Sequence, residues 1–149
     1  MTAKEYLSEA LKYRRAMNTL KERAESLRTE LIGLKAITYD RDRVQISPTN
    51  KIEELMPRLI EIEERYGEMI FKYHKALLIR TAQVEEIGRD DYAEILRLRY
   101  LETNAKGKRH SLNEIAEKTH RSFDWVRHLH GQALRAFERK YLKTTHKNT

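Results

Sequence analysis

The sequence predicts an all-α protein: a long N-terminal antiparallel helical hairpin of coiled-coil type, then a compact three-helix helix-turn-helix module. Three observations carry this. Apolar residues recur at alternating spacings of three and four over most of the first 88 positions. Only five glycines and two prolines interrupt 149 residues. After Gly88 the pattern shortens into capped segments too brief for a coiled coil. The expected division is 1–88 as the hairpin and 89–149 as the compact module.

The first helix carries Tyr6, Ala10, Tyr13, Met17, Leu20, Ala24, Leu27, Leu31 and Leu34 on one seam. Small Ala10 and Ala24 allow close approach, and Lys12, Arg14, Arg15, Lys21, Glu22 and Glu30 fill outer positions. The pattern fades after Ile37. Residues 38–50 break it: Asp40 and Asp42 suit a turn, and Val44 and Ile46 can tuck beneath a helical pair. Ser47 before Pro48 reads as an N-cap and first helical residue. A short loop between long helices implies an antiparallel pair.

The second helix is expected from about Pro48 to Ile87. Its seam is Ile52, Leu55, Leu59, Ile62, Tyr66, Met69, Tyr73 and Ala76. Met56, Ile70, Leu77 and Val84 widen the stripe and would stay partly exposed in a lone hairpin, which predicts self-association. The residues assigned to it are Tyr13, Met17, Leu20, Leu27, Leu31, Ile62, Met69 and Leu77, with a dimer favoured. Pro57 predicts a kink near Met56 or a later helix start. Gly88 ends the helix.

Three short helices should follow. Asp91–Leu101 buries Ile95, Leu96, Leu98 and Leu101. Ser111–Thr119 buries Leu112, Ile115 and Ala116, and Ser111 with Glu114 has the spacing of a capping box. After a polar turn at His120 and Arg121, Ser122 caps a third helix. Its inner face is Val126, Leu129, Ala133, Leu134, Phe137 and Tyr141. Phe123, Asp124, Arg127, His128 and Gln132 lie on the other face.

Charge points to the partner. Residues 89–149 hold 14 Lys and Arg against 8 Asp and Glu, a net of +6 of the chain's +7, while residues 1–88 stand at +1. A basic module beside a balanced one suits a polyanion. Recognition helices read major-groove edges with their N-terminal residues, Arg pairing with guanine and Gln with adenine. The residues assigned to DNA are therefore Lys118, His120, Arg121, Ser122, Phe123, Asp124, Arg127, His128 and Gln132. Arg127 and His128 are expected at base edges, and Lys118, Arg121 and Ser122 at phosphates.

Other chemistries find little footing. His128 and His130 point about 200° apart on a helix, and no cysteine completes a metal site, so no metal or cofactor is expected. Glu53, Glu54, Glu61, Glu63 and Glu64 read as a solvated helix face. Trp125 suits the edge of the core or a partner contact equally. No nucleophile has a paired base and no glycine-rich loop cradles phosphate, so an enzyme is not expected. No apolar run is of membrane-spanning length and no signal peptide is visible, so the expected location is cytoplasmic, on the nucleoid, without a membrane partner.

Leu96–Tyr100 (LRLRY) and Ser111–Phe137 (SLNEIAEKTHRSFDWVRHLHGQALRAF) resemble the C-terminal helix-turn-helix of primary sigma factors, which reads the −35 promoter element. With Asp42–Pro48 and His128–Leu134 added, the chain is similar to phage and prophage late-transcription regulators of the ArpU and RinA type. The resemblance implies a promoter-reading activator of late genes and host RNA polymerase as a further partner. Phe123 and Trp125 stand where sigma factors carry charge, so their base code does not transfer. The loop Glu102–His110 is longer and more basic than the pattern, and nothing resembles the sigma region that melts the −10 element. The competing readings are an adaptor that docks on polymerase with little DNA contact, and a structural coiled-coil protein.

Overall fold

The computed structural model describes residues 1–38 and 48–143. The expected turn at Asp40 and Asp42, the cap at Ser47 and the tucked Val44 and Ile46 lie outside the described residues. Within them the protein is all-α. Helix α1 spans Ala3–Thr38, α2 Pro48–Glu85, α3 Asp90–Leu96, α4 Leu112–Thr119 and α5 Phe123–Phe137. Two π-helical turns, Arg97–Leu101 and Glu138–Leu142, extend α3 and α5. One isolated β-bridge, Thr103 to Arg109, interrupts the helical pattern.

Helix α1 opens on a complete capping box that the sequence reading missed. The Thr2 hydroxyl accepts from the Glu5 amide at 3.2 Å, and the Thr2 amide donates to the Glu5 carboxylate at 3.0 Å. The T-x-x-E spacing was visible at Thr2–Glu5. Helix α2 starts at Pro48 and runs through Pro57 without a break, so the expected later start does not occur. Proline frees one carbonyl, that of Glu53 four residues back, and Glu53 is exposed where water can serve it.

The contacts form two compact units. One is Tyr13–Lys72. Its core is Ala24 and Leu31 of α1 with Leu55 and Leu59 of α2, flanked by Leu27, Leu34, Ile52 and Ile62. Arg28 pairs with Glu63 at 2.8 Å, but both are about half exposed, so the pair adds well under about 1 kcal/mol and burial dominates. Of the residues assigned to self-association, Leu31 is buried, while Tyr13, Met17, Leu20, Leu27, Ile62 and Met69 are half-buried, as is Leu77 beyond this unit. The large apolar side chains most open to solvent here are Ile32 and Phe71, with Ile60, Ile37 and Met56 less so.

The other unit joins Met1–Lys12 to the chain from Tyr73 onward. The contacts thus divide at Lys12 and Lys72. Leu7 and Leu11 lie off the heptad seam, yet both are buried. Val84, expected to stay partly exposed, is 2% exposed. All three belong to the unit that contains the C-terminal helices. Tyr6 lies 5.8 Å from Phe137, ring to ring, and Lys140 and Tyr141 bond to the Glu86 carbonyl and carboxylate.

Arg80 is the polar centre of this unit, 5% exposed. Its guanidinium donates to the Tyr6 carbonyl at 2.8 Å, to the Ala76 carbonyl at 3.3 Å and to the Glu9 carboxylate. It also lies 4.0 Å from the Tyr6 ring centre. Burying a cation is costly unless its donors are met, and here they are met from two helices. Replacing Arg80 with Met leaves Glu9 and the Tyr6 carbonyl without their partner. We expect a loss of about 3 kcal/mol in urea unfolding of the full chain. A loss below about 1 kcal/mol would mean the network is dispensable.

Candidate nucleic-acid interface

The C-terminal helices pack through Ile95, Leu96, Leu98, Tyr100, Leu101, Ile115, Ala116, Val126, Leu129, Ala133 and Phe137, all buried. Leu112, Leu134 and Tyr141, expected inside, are half-buried. Tyr100, fully buried, was not expected. On a regular helix Leu98 and Tyr100 would face opposite ways. The π-helical turn, closed by the Glu102 amide on the Arg97 carbonyl at 3.0 Å, shifts the phase so that both go inward. The Tyr100 hydroxyl then meets the His130 ring nitrogen at 2.7 Å.

Helix α4 begins at Ser111, whose hydroxyl accepts from the Glu114 amide at 3.1 Å. The Glu114 carboxylate also accepts from the Asn104 side chain at 3.1 Å, and this bond, with a smaller contribution from the Ser111 backbone amide, holds its pKa below the usual carboxylate value. At the other end His120 adopts a left-handed conformation, φ 56°. The Arg121 amide bonds back to the Ala116 carbonyl and the His120 amide to Glu117. Such a closure commonly uses glycine, since a side chain there costs about 1–2 kcal/mol. The chain accepts it in exchange for a sharp reversal between α4 and α5.

Three residues, His120–Ser122, separate the two helices. The Ser122 hydroxyl accepts from the Trp125 amide at 3.2 Å and starts α5 as expected. The remaining free amides and the helix dipole leave this end partly positive. Arg121 stacks 4.7 Å from the Trp125 ring centre, so the exposed tryptophan supports a cation at the turn.

Every residue assigned to DNA lies on this segment. Lys118, His120, Arg121, Ser122, Phe123, Asp124, Arg127, His128 and Gln132 are all exposed. Arg127 and Asp124 are 3.6 Å apart and well solvated, a weak pair that a stronger anion can displace. His128 bonds to the Asp124 carbonyl at 2.8 Å, and Gln132 accepts from the Tyr92 hydroxyl at 3.4 Å. Arg127, His128, Gly131, Gln132 and Arg135 line one shallow depression of about 270 Å³. Sequence reasoning missed Arg135. Its position eight residues after Arg127, with Gly131 midway, was the available signal.

A separate cleft of about 480 Å³ has a floor of Ile95, Ile115, Val126 and Leu129. Its rim mixes Asp91 and Glu94 with Lys118 and Arg121. Among the described residues, no three His, Cys, Asp or Glu side chains are placed to hold a metal, and no helix is long and apolar enough to cross a membrane.

No protein family, no curated protein and no solved structure matches the chain.

Burial ties α5 to pH. Desolvation, with Arg99 and Lys4 nearby, pushes His130 down from 6.5 to about 4. The unfolded chain therefore takes up a proton that the folded chain refuses. The stabilisation is complete above pH 6.5 and is lost as pH falls toward 4. His130→Gln keeps a partner for Tyr100 but does not titrate. We expect the melting temperature of the parent protein to fall over this window more steeply than that of His130→Gln. Parallel curves would show that His130 contributes nothing to the acid response.

Proposed function

We propose that the chain is a DNA-binding transcription regulator that reads duplex DNA with α5, in a sigma region-4-like helix-turn-helix. The observation that carries this is the cationic outer face of α5, which follows directly from a sharp, capped reversal after α4. Arg127 reads a base edge, with His128 and Gln132 beside it. Lys118, Arg121 and Ser122 take phosphates around the turn. The amides at the start of α5 add neutral donors to the same side. With the resemblance of LRLRY and the following helices, the best reading is a phage or prophage activator of late genes acting in the cytoplasm. Helices α1 and α2 serve as an antiparallel hairpin that joins two copies.

Arg127→Ala should lose about 1–3 kcal/mol on the specific site and relax preference at one base pair. Lys118→Ala should weaken all duplexes alike and lower the slope of log K against log salt by about one. The site is found by selection from random DNA, and binding is then measured at matched salt. If Arg127→Ala, still folded, binds that site as the parent does, α5 does not read it.

Self-association would use the exposed apolar side chains on Tyr13–Lys72, since Leu27, Leu31 and Ile62 of the expected seam already pack within the chain. Ile60 and Phe71 are 51% and 68% exposed. Sedimentation at about tens of micromolar should show a dimer for the parent and a folded monomer for Ile60→Asp with Phe71→Asp. A monomeric parent removes oligomerisation from the account.

The apolar floor and mixed-charge rim of the 480 Å³ cleft favour a second reading, an adaptor that docks on RNA polymerase. An adaptor stays with polymerase at salt that strips DNA from a reader.

A further inference from the structure

The loop between the π-helical turn and α4 is built to one shape. Asn104 organises it with every polar group it has. Its side-chain oxygen accepts from the Lys106 amide at 2.9 Å and the Lys108 amide at 3.0 Å. Its own amide donates to the Lys108 carbonyl at 2.7 Å, and its carbonyl accepts from the Gly107 amide at 2.9 Å. Gly107 takes φ 74°, which closes the reversal. The Thr103–Arg109 bridge joins the two arms beneath it.

The turn is also fixed from outside. The Asn104 side-chain nitrogen donates to Glu114 in the first turn of α4. At the far end His110 is buried, its ring bonded to the Leu98 carbonyl at 3.0 Å, while Arg99 bonds to the His110 carbonyl. The tip therefore stands at a set place relative to α4, the helix that leads into α5. What it displays is Lys106 and Lys108, both exposed, on a turn without an acidic side chain. Of the adjoining acids, Glu102 pairs with Arg97 at 3.2 Å, and Glu114 is bonded to the base of the turn through Asn104.

We propose that this turn is a second DNA contact, presenting Lys106 and Lys108 to the phosphate backbone of the duplex that α5 reads. The proposal rests on the DNA reading of α5 and extends it to a part of the module that the base-reading helix does not reach. A tip that only needed solubility would not require its backbone fixed both from within and at its two ends. A preformed turn loses little backbone entropy on binding, so two point charges can act together. Phosphate contacts of this kind set affinity and register without reading sequence.

The test uses the full chain, a random-sequence duplex and salt between about 50 and 200 mM. Lys106→Ala with Lys108→Ala should lower the slope of log K against log salt by about two, with thermal melting unchanged. Asn104→Ala keeps both lysines but releases the turn, so binding should weaken while the slope changes less than in the double variant. A double variant with the parent's slope, when Lys118→Ala does lower it, overturns this contact and leaves the reading of α5 standing. A parent chain that binds no duplex overturns both.

Discussion

The fold depends on the burial of one cation. Arg80 sits inside the unit that holds the C-terminal helices, and only a specific set of acceptors makes that tolerable. Those acceptors come from both long helices: the Ala76 carbonyl from its own turn, the Tyr6 carbonyl and Glu9 from α1. Satisfying Arg80 brings the Tyr6 ring under its guanidinium, and the same ring lies against Phe137 at the end of α5. The start of the chain is thus part of the support of α5. The two-helix seam alone would not have given that helix a fixed base.

The long helices were legible because they repeat. Heptad spacing over Tyr6–Leu34 and Ile52–Ala76 needs no tertiary information, and α2 begins and ends within two residues of its expected bounds. The caps at Ser111 and Ser122 were legible for a similar reason: each needs only a hydroxyl three residues before an amide. The burial of Arg80, Leu7 and Val84 was not legible. Each depends on a neighbour distant in the chain, and an arginine in a charged helix reads as surface until its partners are known. Tyr100 was hidden for another reason. A π-helical turn changes the period locally, so a reading at 3.6 residues per turn assigns its side chain to the wrong face.

The candidate site was legible as a segment and less so as a network. The residues assigned to DNA fall on one exposed stretch, because a cap followed by polar helix positions is a local pattern. Glu114 also takes the side chain of Asn104, ten residues back, a link to the preceding loop that spacing could not show. Arg135 lies beyond the N-terminal turns of α5, where base-reading residues are expected, so only its shared face with Arg127 marks it. The left-handed His120 has no sequence signal at all, since the position usually calls for glycine.

Selection of bound sequences from a random DNA library with the full chain tests the central claim most directly. If α5 reads base edges in the major groove, successive rounds converge on one short motif. Binding to that motif then exceeds binding to random duplex by about a thousandfold or more at physiological salt. A library that stays flat through selection, with equal affinity for every duplex, would contradict sequence reading by α5.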